Sequence, residues 1–126
     1  MEPKPRSRIL LVEDEDALLQ LGKMLLEHLG YTVMAADAPG KALQLAEEYD
    51  GVIHLLMTDV VMPEMSGREL WRHLSALRPS LKCLFMSGYT ANVITHHGVL
   101  DKGVHFLQKP FSREDLAAKL REALED

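Results

Sequence analysis

Short apolar runs alternate five times with helix-patterned segments along this chain, and that rhythm restricts the fold more than any other feature. The runs fall near residues 8–12, 31–35, 52–58, 82–86 and 104–108. Short apolar runs bounded by turn or acidic residues read as buried strands. Between them come helical patterns. Leu18, Leu21, Leu25 and Leu29 make one stripe over residues 16–29, and Gly30 stands where a C-terminal cap glycine belongs. Pro39 opens a second helix that would bury Ala42, Leu43 and Ala46. Ser66 and Glu69 form a capping box ahead of Leu70, Leu74 and Leu77, with Pro79 beyond the helix end. Residues 91–99 carry the faintest helical pattern. Ser112 and Asp115 cap a last helix with Leu116, Leu120 and Leu124 on its stripe. Five strands alternating with five helices predict an α/β fold: a mostly parallel sheet, covered on both faces and joined by right-handed crossovers.

The chain has 126 residues, enough for one domain with an ordinary core. Residues 1–7, with Pro3 and Pro5, read as a tail or linker cut from something longer, and residues 8–126 as the domain. The net charge is −5 and no basic stretch is visible, which argues against nucleic acid or an anionic membrane as a direct partner. No apolar run approaches the roughly 20 residues of a membrane span, and the basic N-terminus lacks the apolar core of a secretory signal. Cys83 is the one cysteine, so the chain can form no internal disulfide, which fits a reducing, cytoplasmic setting.

Three acidic residues stand where apolar runs stop. Ile9-Leu10-Leu11-Val12 leads into Glu13-Asp14, and Val52-Ile53-His54-Leu55-Leu56-Met57-Thr58 leads into Asp59. If the strands are parallel neighbours, all three carboxylates emerge at the edge where open α/β sheets bind ligands. A like-charge pair at ~4 Å costs about 4 kcal/mol at an effective dielectric near 20. Such a cluster requires a cation, a proton or a basic partner. The six histidines (28, 54, 73, 96, 97 and 105) show no transition-metal ligand spacing, and Trp71, Met62, Met65 and Met86 read as packing or loop anchors.

Taken in order, Glu13-Asp14, then Asp59 with Met62-Pro63 and Gly67, then Ser87-Gly88, then Lys109-Pro110-Phe111 resemble a response-regulator receiver domain over nearly the whole chain. The resemblance implies a flavodoxin-like doubly wound sheet of strand order 2-1-3-4-5. It implies a phosphoacceptor module, not a turnover enzyme. Asp59 would accept a phosphoryl group from phosphohistidine. Glu13, Asp14, Asp59 and the backbone carbonyl of Val61 would hold Mg2+ or Mn2+. Lys109 would set its ammonium against the phosphoryl oxygens, aimed inward by a cis bond to Pro110. Ser87 would donate its hydroxyl to the group. The switch would run through Ser87 and Phe106 to the face made by the fourth helix, fifth strand and last helix. Phe106 lacks the phenolic hydroxyl that the family often has there, and an ordinary core phenylalanine is an equal reading.

Two positions depart from polar residues that would orient a hydrolytic water: Val61, two after Asp59, and Tyr89, two after Ser87. They predict a long-lived phosphorylated state. The implied partners are a histidine kinase or a histidine phosphotransfer domain, with a homodimer on phosphorylation. The flavour of residues 54–63 and 86–89 looks like the receiver of a hybrid sensor histidine kinase, itself a cytoplasmic part of a membrane sensor. A stand-alone regulator or a regulator's N-terminal receiver remains an alternative, and a docking-only receiver is a remote one. An aspartate-nucleophile phosphatase would need an acid at Val61, and a flavin-binding protein would need a phosphate-cradling loop where Glu13-Asp14-Glu15-Asp16 stands.

Overall fold

The computed structural model describes residues 7–87 and 104–125. Five strands are present: β1 (Arg8–Val12), β2 (Thr32–Ala36), β3 (Leu55–Asp59), β4 (Lys82–Ser87) and β5 (Val104–Gln108). The helices among the described residues are α1 (Asp16–His28), α2 (Pro39–Glu48), α3 (Gly67–Leu77) and α4 (Arg113–Glu125). The helical pattern at 91–99, Gly88, Tyr89 and tail residues 1–6 lie outside them.

All strands pair in parallel, in the order β2-β1-β3-β4-β5. Alternation along each strand sends successive side chains to opposite faces. Leu10, Val12, Leu56, Cys83 and Phe85 pack with Ala42 and Ala46 of α2 and Leu70 and Leu74 of α3. Ile9, Leu11, Met57, Leu84 and Leu107 pack with Leu19 and Leu26 of α1 and Leu116 and Leu120 of α4. Two apolar layers thus clamp a strand set that is buried on both sides, as continuous apolar runs require.

Local signals in the sequence explain where the helices start and stop. Ser66 and Glu69 form the full reciprocal capping box at the start of α3. At α4 the Asp115 N–H donates to Ser112 Oγ at 3.0 Å, and the Ser112 N–H donates to Asp115 Oδ2 at 3.2 Å. Pro39 is the first residue of α2. Gly30 follows α1 at φ 99°, a conformation glycine adopts without penalty.

The structure corrects three expectations. The core stripe of α1 is Leu19 and Leu26, not Leu18 and Leu21, which are 41% and 49% exposed. Gly22 lies on the same buried side as Leu19 and Leu26, three residues after the first and four before the second, and a Cβ there would stand only 3.1 Å from Leu11 Cδ2. β3 begins at Leu55 rather than residue 52, and Val52 is exposed. β2 is displaced by one residue toward Ala36.

At the edge of the sheet away from the acids, the Arg78 guanidinium donates to the carbonyls of Ala46, Tyr49 and Gly51 at 3.0, 2.6 and 2.7 Å. It ties the end of α2 and the following loop to the end of α3. No helix of the described residues is long and apolar enough to cross a membrane.

Candidate phosphoacceptor site

Because every strand is parallel, every strand's C-terminal end reaches the same edge. Glu13 and Asp14 follow β1, Asp59 closes β3, Ser87 closes β4, and Lys109 follows β5 by one residue. The backbone fixes each of them. The Glu13 N–H donates to the Ala36 carbonyl at 3.1 Å, the Val60 N–H to the Met86 carbonyl at 3.1 Å, and the Lys109 N–H to the Ser87 carbonyl at 2.8 Å. The Lys109–Pro110 bond is cis, as the resemblance implied.

The side chains converge. Lys109 Nζ lies 2.6 Å from Asp59 Oδ1 and 3.4 Å from Glu13 Oε1. The other Glu13 oxygen, Oε2, accepts the Glu15 N–H at 3.2 Å. Glu13, Asp59 and Ser87 are buried, whereas Asp14 is exposed. Together with Val61 these residues line a cavity of about 290 Å3.

Burial raises the Glu13 carboxyl above its ordinary value, and its hydrogen bond to Asp59 raises it further, against a lowering by the Glu15 backbone and Lys109. For Lys109, burial opposes the charged form, but the hydrogen bonds and charges of Asp59 and Glu13 outweigh it and hold the amine above its usual range.

Glu13, Asp14 and Asp59 each offer an oxygen, and the three oxygens lie within 4.8 Å of one another. Three carboxylates facing one ammonium leave two uncompensated negative charges. Hard oxygen donors with that charge suit Mg2+, which takes few carboxylates and keeps several waters. The residues present therefore fit a divalent cation.

Of the residues singled out from the sequence, Glu13, Asp14, Asp59, Val61, Ser87 and Lys109 come together. Phe106 does not join them: it packs against Phe85, ring centroids 5.4 Å apart, over the α2–α3 layer. Tyr89 is outside the described residues. Gly67 has a structural role that its place in the motif did not reveal, since a Cβ there would overlap the Asp59 carbonyl oxygen. Met86, read from the sequence as a packing anchor, also lines the cavity. Beside the acidic cavity lies a second one of about 280 Å3, apolar, between α1 and the start of α4. Leu18, Leu21, Leu25, Pro110 and Phe111 line it, and Glu13, Met86 and Lys109 are shared by both.

Comparison with known proteins agrees with this geometry. Residues 9–121 match the family described as the response regulator receiver domain. The chain is 42% identical over 117 residues to the sensor kinase CckA of Brucella abortus (strain 2308), a match covering 93% of this chain and 12% of the kinase. It is 34% identical to the response regulator receiver protein CpdR of the same organism, covering 93% of this chain and 96% of CpdR. Among solved structures, the receiver domain of the hybrid histidine kinase CckA matches with TM-score 0.80 at 36% identity, over 94% of this chain and 99% of that one. The Vibrio cholerae chemotaxis protein CheY4 matches with TM-score 0.84 at 25% identity, over 94% and 99%. The chain thus spans a small part of the kinase and nearly all of CpdR. Receiver domains are phosphoacceptor modules of two-component systems and generally bind Mg2+ at an acidic cluster of this kind. With fold, acidic edge and sequence match in agreement, the chain belongs to the response regulator receiver domain family.

Proposed function

We propose that this chain accepts a phosphoryl group from a phosphohistidine donor onto Asp59. The observation that carries this reading is the 2.6 Å contact of Lys109 Nζ with Asp59 Oδ1 beside the three-carboxylate cluster. A carboxylate oxygen of Asp59 attacks phosphorus, the phosphorus–nitrogen bond to the donor imidazole breaks, and the imidazole leaves with the electron pair. The product is an acyl phosphate on Asp59. Transfer spreads charge over three equatorial oxygens, which must meet cations and donors. Lys109 supplies an ammonium and Ser87 a hydroxyl. Glu13, Asp14, Asp59 and the Val61 carbonyl would hold Mg2+ (or Mn2+), which neutralises phosphoryl charge when bound.

The new group brings about two negative charges and three acceptor oxygens. It recruits Ser87 and biases the face of β5 and α4, with Phe106 as a packing-driven switch. Val61 and Tyr89 offer no amide or carboxylate to orient a hydrolytic water, so phospho-Asp59 is long-lived.

A histidine kinase or histidine phosphotransfer domain is the donor. The exposed Leu18 and Leu21 of α1, which line the apolar cavity that shares Lys109 with the site, and the exposed Met24 suit an apolar helix of that donor. The match to the CckA kinase supports a receiver within a cytoplasmic hybrid kinase. The match along nearly the whole of CpdR favours a second reading, a stand-alone receiver. The test is incubation with acetyl phosphate, with and without Mg2+, read by intact mass. One phosphoryl group should be gained only with Mg2+. An Asp59→Asn chain that still gains it would refute the assignment.

A further inference from the structure

Thr58, the residue before the acceptor, is fully buried, and by strand alternation its side chain leaves β3 on the face opposite Asp59. Its hydroxyl donates to the Asp59 carbonyl oxygen at 3.0 Å and lies 3.7 Å from Met62 Sδ. The carbonyl is the nearer acceptor, and a thioether is a weak one.

That carbonyl belongs to the peptide plane joining Asp59 to Val60. The same plane's N–H donates to the Met86 carbonyl at 3.1 Å. The plane is therefore held at both ends, by β4 through Met86 and by the Thr58 hydroxyl. Gly67 closes over it, since a Cβ there would overlap the same carbonyl oxygen, and the Gly67 N–H fixes the next carbonyl, of Val60, at 2.7 Å. The orientation of this plane sets where the Asp59 carboxylate stands relative to Lys109 and where the loop bearing Val61 departs. A β-branched side chain restricts its own torsion, so threonine presents the hydroxyl in few rotamers.

We infer that Thr58 is a positioning residue for phosphoryl acceptance, acting on Asp59 and Val61 through the backbone. The inference rests on Asp59 being the acceptor. The test compares wild type with Thr58→Val, which keeps shape and loses the hydroxyl, and with Thr58→Ser, which keeps the hydroxyl. Three quantities are measured: the acetyl phosphate phosphorylation rate per folded molecule, the Mg2+ affinity by calorimetry, and Tm. Thr58→Val should phosphorylate about fivefold more slowly, the factor expected for one average hydrogen bond, and should bind Mg2+ more weakly. Thr58→Ser should stay within about threefold of wild type, because only torsional freedom changes. A merely structural role would lower Tm and leave rate per folded molecule and Mg2+ affinity alone. That result, or a serine variant as slow as the valine one, overturns the inference. If Thr58→Val does not fold, Thr58→Ala is read by the same criteria. A wild-type chain that gains no phosphate overturns the acceptor assignment itself, which keeps the two failures apart.

Discussion

The Lys109 ammonium lies 2.6 Å from the Asp59 carboxylate, reaching along the sheet's acidic edge from the end of β5 across β4 to β3. It is held to the Ser87 backbone and stands against two buried carboxylates at once, so it would compete with a bound cation for the same negative charge. Lys109→Met should therefore separate two functions. Mg2+ affinity should rise, because the competing cation is gone. Phosphorylation should fall by at least about 100-fold, the cost of removing one preorganised donor to a developing charge. Calorimetry and phosphorylation kinetics would check both, and weaker Mg2+ binding in the variant would contradict the competition.

Glu13 links the site to pH. Its carboxyl is raised, first by burial and then by Asp59, so the folded chain binds that proton more tightly than the unfolded one. Its contribution to metal-free stability is then present below the ordinary glutamate value and lost as pH rises through the raised one. A cation bound by Glu13 expels the same proton. The rise in Tm on adding Mg2+ should grow as pH rises toward the raised Glu13 value and level off once Glu13 is ionised. Glu13→Gln should shrink the rise and remove that dependence. A pH-independent increment in wild type would refute the role of Glu13.

Two glycines give opposite expectations. Gly67→Ala should destabilise by roughly 1–3 kcal/mol, as an inserted methyl does in a packed position, because the Cβ meets the Asp59 carbonyl. Gly40, in the first turn of α2, has nothing within 4 Å of the position a Cβ would take, and Gly40→Ala should stabilise by about 0.5 kcal/mol through the unfolded chain. Urea denaturation measures both.

Arg78 is distant from the chemistry. Arg78→Ala removes three hydrogen bonds to the Ala46, Tyr49 and Gly51 carbonyls and should cost about 2–3 kcal/mol. Arg78→Lys should not restore it, since an ammonium cannot reproduce the planar fork. Phosphorylation per folded molecule should be unchanged in both.

Leu21→Glu tests donor docking. It places a charge on the exposed, groove-lining part of α1. Transfer from a phosphohistidine protein should slow by more than about tenfold, given that desolvating an unpaired charge in an interface costs over a kcal/mol. Acetyl phosphate, which needs no docking, should work as before. Equal loss with both donors would sink the docking assignment.

The sequence made the chemistry more legible than the packing. Acids at the ends of apolar runs located the site because parallel strands bring those ends together. The Ser66 and Ser112 caps were legible because a cap is decided by residues three apart. The face of α1 was not. Leu18-Leu21-Leu25-Leu29 and Leu19-Leu26 both satisfy helical spacing, and Gly22, which stands against Leu11 with no room to spare for a Cβ, lies on the second face. A hydrophobic pattern gives glycine no weight. Gly67 and Thr58 escaped for a related reason, since each acts on the Asp59 carbonyl, an atom that no side-chain pattern encodes. Phe106 kept both its readings, because packing on Phe85 serves a core residue and a switch alike.

The apolar groove and the acidic cavity have a common wall in Glu13, Met86 and Lys109. On the proposed function, a substitution in that wall would alter at one stroke which donor is welcomed and how fast its cargo is taken. On that reading, discrimination between donors would rest on the exposed Leu18, Leu21 and Met24 of α1, none of which lines the acidic cavity.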